Sequence, residues 1–132
     1  MRTTLLIIGV VLILLSIVFH FYVFTLESLT WRKPKTWKTF GLANQDQADT
    51  IASMAFNQGF YNLFLALGAG VGVVMLGINS TIAITLMVFA SLSMASAGMV
   101  LFFSVKTSRR AAIIQAGPPL VGIICFLIGR AL

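Results

Sequence analysis

The chain has 132 residues, of which 59% are hydrophobic and only 9% charged, with a net charge of +6 and a mean hydropathy of +1.03. A soluble domain of this length has too little interior to hide so much apolar surface, and ordinary globular proteins carry about 25% charged residues, so the composition argues for lipid as the solvent. The positive charge does not amount to a nucleic-acid-binding face, because the basic residues flank apolar runs instead of forming a surface of their own, and no nucleic-acid partner is expected.

The first apolar run follows Met1-Arg2 and imitates a secretory signal. It is longer than a typical signal core, and it closes on His20, Tyr22 and Glu27 with no small-residue cleavage site, so it reads as a retained span. Span one covers about 4–29, span two 50–78, span three 81–105 and span four 110–130, each close to the roughly 20 residues a helix needs to cross a bilayer. The short alternating segments of a membrane β-barrel are absent. The expected architecture is all-α, an integral membrane four-helix bundle forming one domain over 1–132.

The loops set the orientation. Arg32, Lys33, Lys35 and Lys38 lie between spans one and two, and Lys106, Arg109 and Arg110 between spans three and four, whereas the opposite side holds only Arg2, Arg130 and the uncharged turn Gly77-Ile78-Asn79-Ser80. Lysine and arginine favour the cytoplasmic side, so both termini are expected outside and the two basic loops inside, in the multi-pass topology of a cell-membrane protein.

The first loop is the only long one, a basic interfacial segment between helices 1 and 2. Its aromatic and cationic residues Trp31, Arg32, Lys33, Trp37 and Lys38 are expected at the membrane interface, since tryptophan prefers the headgroup level and lysine is drawn to anionic lipid. Pro34 argues against one continuous helix, and Gly41 breaks the segment. Asn44-Gln45-Asp46 then offers N-cap side chains for the helix that follows, with Asp49 complementing its dipole.

Within the spans, Gly68 and Gly72 make a small-xxx-small pattern, and Ala90 to Gly98 make a second small-residue surface. Both read as places of close helix approach. Pro118 and Pro119, after Gln115 and Gly117, remove backbone donors and are expected to kink span four. Cys125 is the only cysteine. No disulfide and no Cys/His cluster of metal spacing is available, so neither metal nor cofactor is expected.

The polar residues of the spans gather at one depth. His20 and Glu27 lie at the end of span one, Asn57, Gln58, Tyr61 and Asn62 at the start of span two, and Gln115 about one turn into span four. At 100° per residue His20, Glu27 and Trp31 fall within about 40° of one another, and Gln58, Tyr61 and Asn62 share a face with Asn57 at its edge. Ionisable groups inside a membrane are costly and usually face inward, paired. His20 and Glu27 stand two turns apart, about 10 Å, too far for a direct bond in a straight helix, so an amide, a water or a ligand is expected between them. These seven residues form the candidate ligand-binding set, and none is assigned a catalytic role.

The same residues carry a resemblance. A His and a Glu closing the first span, followed by a Trp (His20, Glu27, Trp31), an Asn-Gln-Gly-x-Tyr-Asn-x-Phe-Leu-Ala signature opening the second (Asn57 to Ala66), and a Gln-x-x-Pro in the fourth (Gln115, Pro118) resemble the small bacterial membrane proteins grouped as domain of unknown function 1304. Phe40-Gly41 fits that family's first loop. One departure stands in span three, where Ser96-Ala97-Gly98 and Phe102-Phe103 replace a Gly-x-Tyr-Gly-like element. The resemblance implies a four-helix fold in the bacterial cytoplasmic membrane and no established activity.

Three functional readings stay open. The first is a protein that binds, or transports, a small amphipathic or lipid-like ligand in the cytoplasmic leaflet. As a four-span transporter it would be expected to form a homodimer, with membrane lipid as its other partner. The second is a membrane enzyme using His20 and Glu27 as an acid–base pair on a lipid-like substrate, against which stands the absence of a nucleophile–base pair or a redox motif. The third is a structural or accessory subunit whose amides act as interhelical glue, worth about 0.6–2 kcal/mol each.

Overall fold

A computed structural model describes residues 1–132, and every regular element in it is helical. The order is α1 (Arg2–Phe24), a π-helical turn (Thr25–Leu29), α2 (Pro34–Thr39), α3 (Gln45–Thr50), α4 (Ala52–Met75), α5 (Ser80–Ser104), a 3₁₀ turn (Lys106–Ser108) and α6 (Arg109–Ala131). Four of these segments are long and apolar enough to cross a membrane: Arg2–Leu29, Ala52–Met75, Ser80–Ser104 and Lys106–Ala131. Large apolar side chains point outward along them, among them Val18 at 65% exposure, Phe89 at 68% and Phe103 at 78%. Water would not tolerate apolar surface of that extent, whereas lipid favours it.

The helix ends follow local chemistry. Span two stops at Met75, three residues before the expected Ile78, because the chain turns there, with Ile78 N–H donating to Met75 O at 2.9 Å and Asn79 N–H to the same oxygen at 2.8 Å. Asn79 then caps α5, its Oδ1 accepting from the amides of Thr81 and Ile82 at 3.1 Å each. Asn44 is an N-cap as its type predicts, accepting from Gln47 N–H at 3.0 Å, but the helix it starts is the six-residue α3 and not the span itself. Pro118 and Pro119 lie inside α6, which continues through them.

The chain forms two compact units, residues 1–19 with 65–132, and residues 20–64. In the first, all four long helices supply the core: Ile13 from α1, Ala69 from α4, Met87, Ala90 and Met94 from α5, and Ile123 and Phe126 from α6. Lipid offers no hydrophobic drive for helices to associate, so close van der Waals fit must hold them, and small residues make it available. A Cβ added at Gly72 would lie 2.8 Å from Met87 Cγ, and one added at Gly98 would lie 2.8 Å from Ala116 Cβ and 3.0 Å from Ala116 N. Of the small-xxx-small pair in α4, only Gly72 serves such an approach, since Gly68 faces open space.

The second unit contains the long loop, and it is folded. Trp31, Trp37, Ala48 and Ala55 form its core, with Leu42, Ile51 and Ala52 packed on them. Both indole N–H groups are used inside the protein. Trp31 Nε1 donates to Ala48 O at 2.9 Å and Trp37 Nε1 to Gln45 Oε1 at 3.1 Å. Phe40 packs its ring 5.1 Å from Trp31, and Gly41, at φ +80°, takes the left-handed turn that ends α2. The five residues expected at the interface thus divide by type: both tryptophans are buried, while Arg32, Lys33 and Lys38 are exposed. An indole carries a large apolar body and one donor, and a short segment that satisfies both can bury it.

Gly98→Leu is expected to lower the stability of the purified protein by about 1–3 kcal/mol, because overpacking a tight helix contact forces displacement. Gly68→Leu is expected to change it by less than about 0.5 kcal/mol. Thermal unfolding in detergent reads both, and equal losses would show that close approach at Gly98 is not what holds α5 to α6.

Candidate functional site

The site is built where the first span ends. At Thr25 the hydrogen-bonding of α1 widens, and Thr30 N–H donates to Thr25 O at 3.0 Å, five residues back. Two threonine hydroxyls bracket the turn: Thr25 Oγ1 donates to Tyr22 O at 2.7 Å and Thr30 Oγ1 to Thr25 O at 3.1 Å. Single π-helical turns of this kind occur often at functional sites. The even rotation of 100° per residue that aligned Glu27 and Trp31 with His20 therefore holds only as far as Phe24. All three residues are nonetheless buried, His20 completely.

The π-turn meets the start of α4 at Gly59. A side chain at that position would collide with Ser28 Oγ and lie 3.1 Å from Glu27 Cβ, so only glycine lets the two backbones come this close. Ser28 uses the approach, its hydroxyl donating to Phe56 O at 2.9 Å. The aromatic rings beside it bind the same two segments. Phe24 meets Phe60 edge-on at 5.3 Å, and Phe60 lies 5.0 Å from Phe56 and 6.1 Å from Phe64.

One residue before Ser28 in the turn, and about one helical turn beyond Gly59 on α4, the carboxylate finds its partner. Asn62 Nδ2 donates to Glu27 Oε2 at 2.8 Å and also to Gln58 O, one turn back on α4, at 3.2 Å. Both side chains are buried. A bond from an amide to a carboxylate is charge-assisted and stronger than one between neutral groups. It engages only one of the two carboxylate oxygens, and Oε1 receives no hydrogen bond from the protein.

Glu27 also forms part of the wall of an open groove of about 600 Å³, together with Trp31, Arg32, Lys33, Ser53 and Phe56. That volume lies within the usual range for small-molecule sites, about 300–1,000 Å³. Arg32 and Lys33 are exposed, and neither forms an ion pair with Glu27. The groove therefore holds a buried carboxylate and two exposed cations that do not neutralise each other by contact.

The residues expected from sequence fall into separate groups. Glu27 and Asn62 meet directly. His20 is fully buried and is not among the residues lining the groove. The side chains of Asn57, Gln58 and Tyr61 are exposed on α4, and Gln58 contributes to the pair only through its backbone carbonyl. Gln115 is half-buried on α6, in the other unit. Sequence reasoning missed Ser28, Ser53 and Phe56, and it did not give Gly59 a role. A signal for Gly59 was present, since it stands three residues before Asn62, where a helix presents the same face and a small residue marks a close approach. No three of the His, Cys, Asp and Glu side chains cluster, so the donors at the site are a carboxylate, an amide and hydroxyls.

A family model described as Protein of unknown function (DUF1304) matches residues 14–127, a stretch that includes the π-turn, the groove and the Glu27–Asn62 pair. No curated protein and no solved structure matches the chain.

A double-mutant cycle over Glu27→Ala and Asn62→Ala is expected to show a coupling of about 1–3 kcal/mol in unfolding free energy, because removing either partner leaves the other buried without its bond. Strictly additive losses would refute the pairing. Gly59→Val is expected to destabilise by a similar amount, about 1–3 kcal/mol, and Ser28→Ala combined with it to recover part of the loss, since the hydroxyl is the first atom the new side chain meets.

Proposed function

Because the chain belongs to the family described as Protein of unknown function (DUF1304), and that description names no activity, we propose its function from the geometry of its own residues. It is a multi-pass protein of the cell membrane that binds a small amphipathic or lipid-like molecule in the groove beside Glu27. The observation that carries this reading is the half-satisfied carboxylate. A purely structural pair in a low-dielectric setting would be favoured to close on itself, whereas Glu27 has one oxygen fixed by Asn62, receives no protein hydrogen bond on the other, and lines an open groove. The lining supports an amphipathic occupant, since Phe56, Leu29 and Trp31 offer apolar surface and Arg32 and Lys33 offer charge. The acid–base enzyme reading has less support, because His20 does not line the groove.

The orientation follows from the distribution of charge. Arg32, Lys33, Lys35, Lys38, Lys106, Arg109 and Arg110 occupy the two loops that four crossings place together, against Arg2 and Arg130 on the other side. The loops then face the cytoplasm and both termini face outward. The groove, built from the end of the first span, the loop after it and the start of α4, opens to the cytoplasmic side.

Native mass spectrometry of the protein released from detergent is expected to show a retained amphipathic molecule. Ser53→Trp, which fills the groove from its α4 wall, should reduce that retention about tenfold or more with the unfolding temperature unchanged. Equal retention by the two proteins would overturn the reading. An alkaline phosphatase fused after Leu132 is expected to be active, and a green fluorescent protein at the same place dark. The reverse pattern would invert the orientation.

A further inference from the structure

The charges of the groove are arranged in a way that selects among amphipathic molecules. Glu27 is buried, holds a hydrogen bond on Oε2 alone and forms no ion pair, while Arg32 and Lys33 are exposed in the same groove. The only other acidic residues of the chain are Asp46 and Asp49, which are exposed on α3 and do not line the groove. A purely anionic head would find the two cations but would be brought close to a buried carboxylate. A purely cationic head would find the carboxylate but would have to pass the cations. Only a head carrying both charges, separated along its length, meets each with its opposite.

We propose that the groove recognises a zwitterionic lipid headgroup of the phosphoethanolamine type, with its primary ammonium donating to Glu27 Oε1 and its phosphate held by Arg32 and Lys33. This rests on the reading of the groove as an amphipathic-ligand site and names the ligand class. The ammonium is primary because the unengaged oxygen is a hydrogen-bond acceptor, and a quaternary ammonium has no N–H to give it. The phosphate belongs with Arg32 because a guanidinium offers paired donors to phosphate oxygens, while Lys33 adds a point charge. The molecule is a lipid rather than a free head because the same groove carries Leu29 and Phe56 and lies at the end of a span, where an acyl chain has hydrocarbon to enter. Asn62 acts as a positioning residue, since it engages Oε2 and leaves Oε1 without a hydrogen bond from the protein.

The test is a titration of the detergent-purified protein with phosphatidylethanolamine, phosphatidylglycerol and phosphatidylcholine of identical acyl chains, followed by native mass spectrometry. Phosphatidylethanolamine is expected to bind about tenfold or more tightly than either of the others, and Glu27→Gln to erase that advantage without weakening phosphatidylglycerol binding, which loses a repulsive neighbour. Glu27→Gln is shape-conserving and keeps an acceptor for Asn62, and its size-exclusion profile checks that the fold survives. The double variant Arg32→Gln, Lys33→Gln should weaken phosphatidylethanolamine and phosphatidylglycerol alike, and undiminished binding of both would remove the phosphate contact. Phosphatidylglycerol binding as tightly as phosphatidylethanolamine, or an ethanolamine preference that survives Glu27→Gln, would overturn the headgroup assignment. The groove itself would stand in either case, provided Ser53→Trp abolishes the binding. Water-soluble phosphoethanolamine is expected to leave bound lipid in place, and displacement at equal concentration would overturn the lipid assignment. Wild type and Ser53→Trp binding every lipid equally would sink this inference and the groove reading together.

Discussion

The absence of a side chain at Gly59 is the constraint on which the site depends. A larger residue would run into Ser28 and press on Glu27, so the π-turn would have to shift away from α4. With glycine there, three interactions follow within two helical turns: the Ser28 hydroxyl on Phe56 O, the Phe24–Phe60 ring contact, and the Asn62 amide on the Glu27 carboxylate. None of them is strong by itself. Together they place an ionisable group, which hydrocarbon would otherwise reject, beside a donor that meets half of its demand.

The other half of that demand is what makes the arrangement chemically open. An exposed carboxylate among arginine and lysine usually forms surface ion pairs worth little, about 0–1 kcal/mol. Here the carboxylate is buried, the cations are exposed, and no ion pair forms between them. Burial raises the cost of the unbonded oxygen, and the residue that carries it lines an open groove.

The two units hold themselves together by different physics. In residues 1–19 and 65–132 the buried surface is aliphatic and small, and Gly72 and Gly98 set how near the helices come, as expected where lipid removes any hydrophobic gain from association. In residues 20–64 two tryptophans supply the core and spend their N–H groups on a backbone carbonyl and a glutamine. That second kind of core suits a segment with little chain to work with, because one indole covers the area of several aliphatic residues and its single donor is easily satisfied. It also explains why a loop rich in lysine is folded: the cations remain outside and the aromatic residues between them turn inward.

Hydropathy alone was enough to find the four long helices to within a few residues, because length and apolarity are properties of a segment and do not depend on what it packs against. The Asn44 cap and the turn at Gly41 were legible for the same reason, since each is settled by the residue and its immediate neighbours. The polar residues of the candidate site were visible as a set, but how they sort was not. Periodicity put Gln58, Tyr61 and Asn62 on one face, yet only Asn62 is buried, because an α-helical face is broad and burial depends on where the opposing backbone comes closest. That point is Gly59, and its role exists only once the π-turn lies against it. The π-turn itself leaves no mark that 100° spacing can read, so the alignment of Glu27 with His20 could be drawn on a wheel but not measured there. The inward turn of Trp31 and Trp37 was equally hidden, since an indole suits a headgroup layer and a small core alike, and the choice came from Ala48 and Gln45 offering acceptors at the right distance.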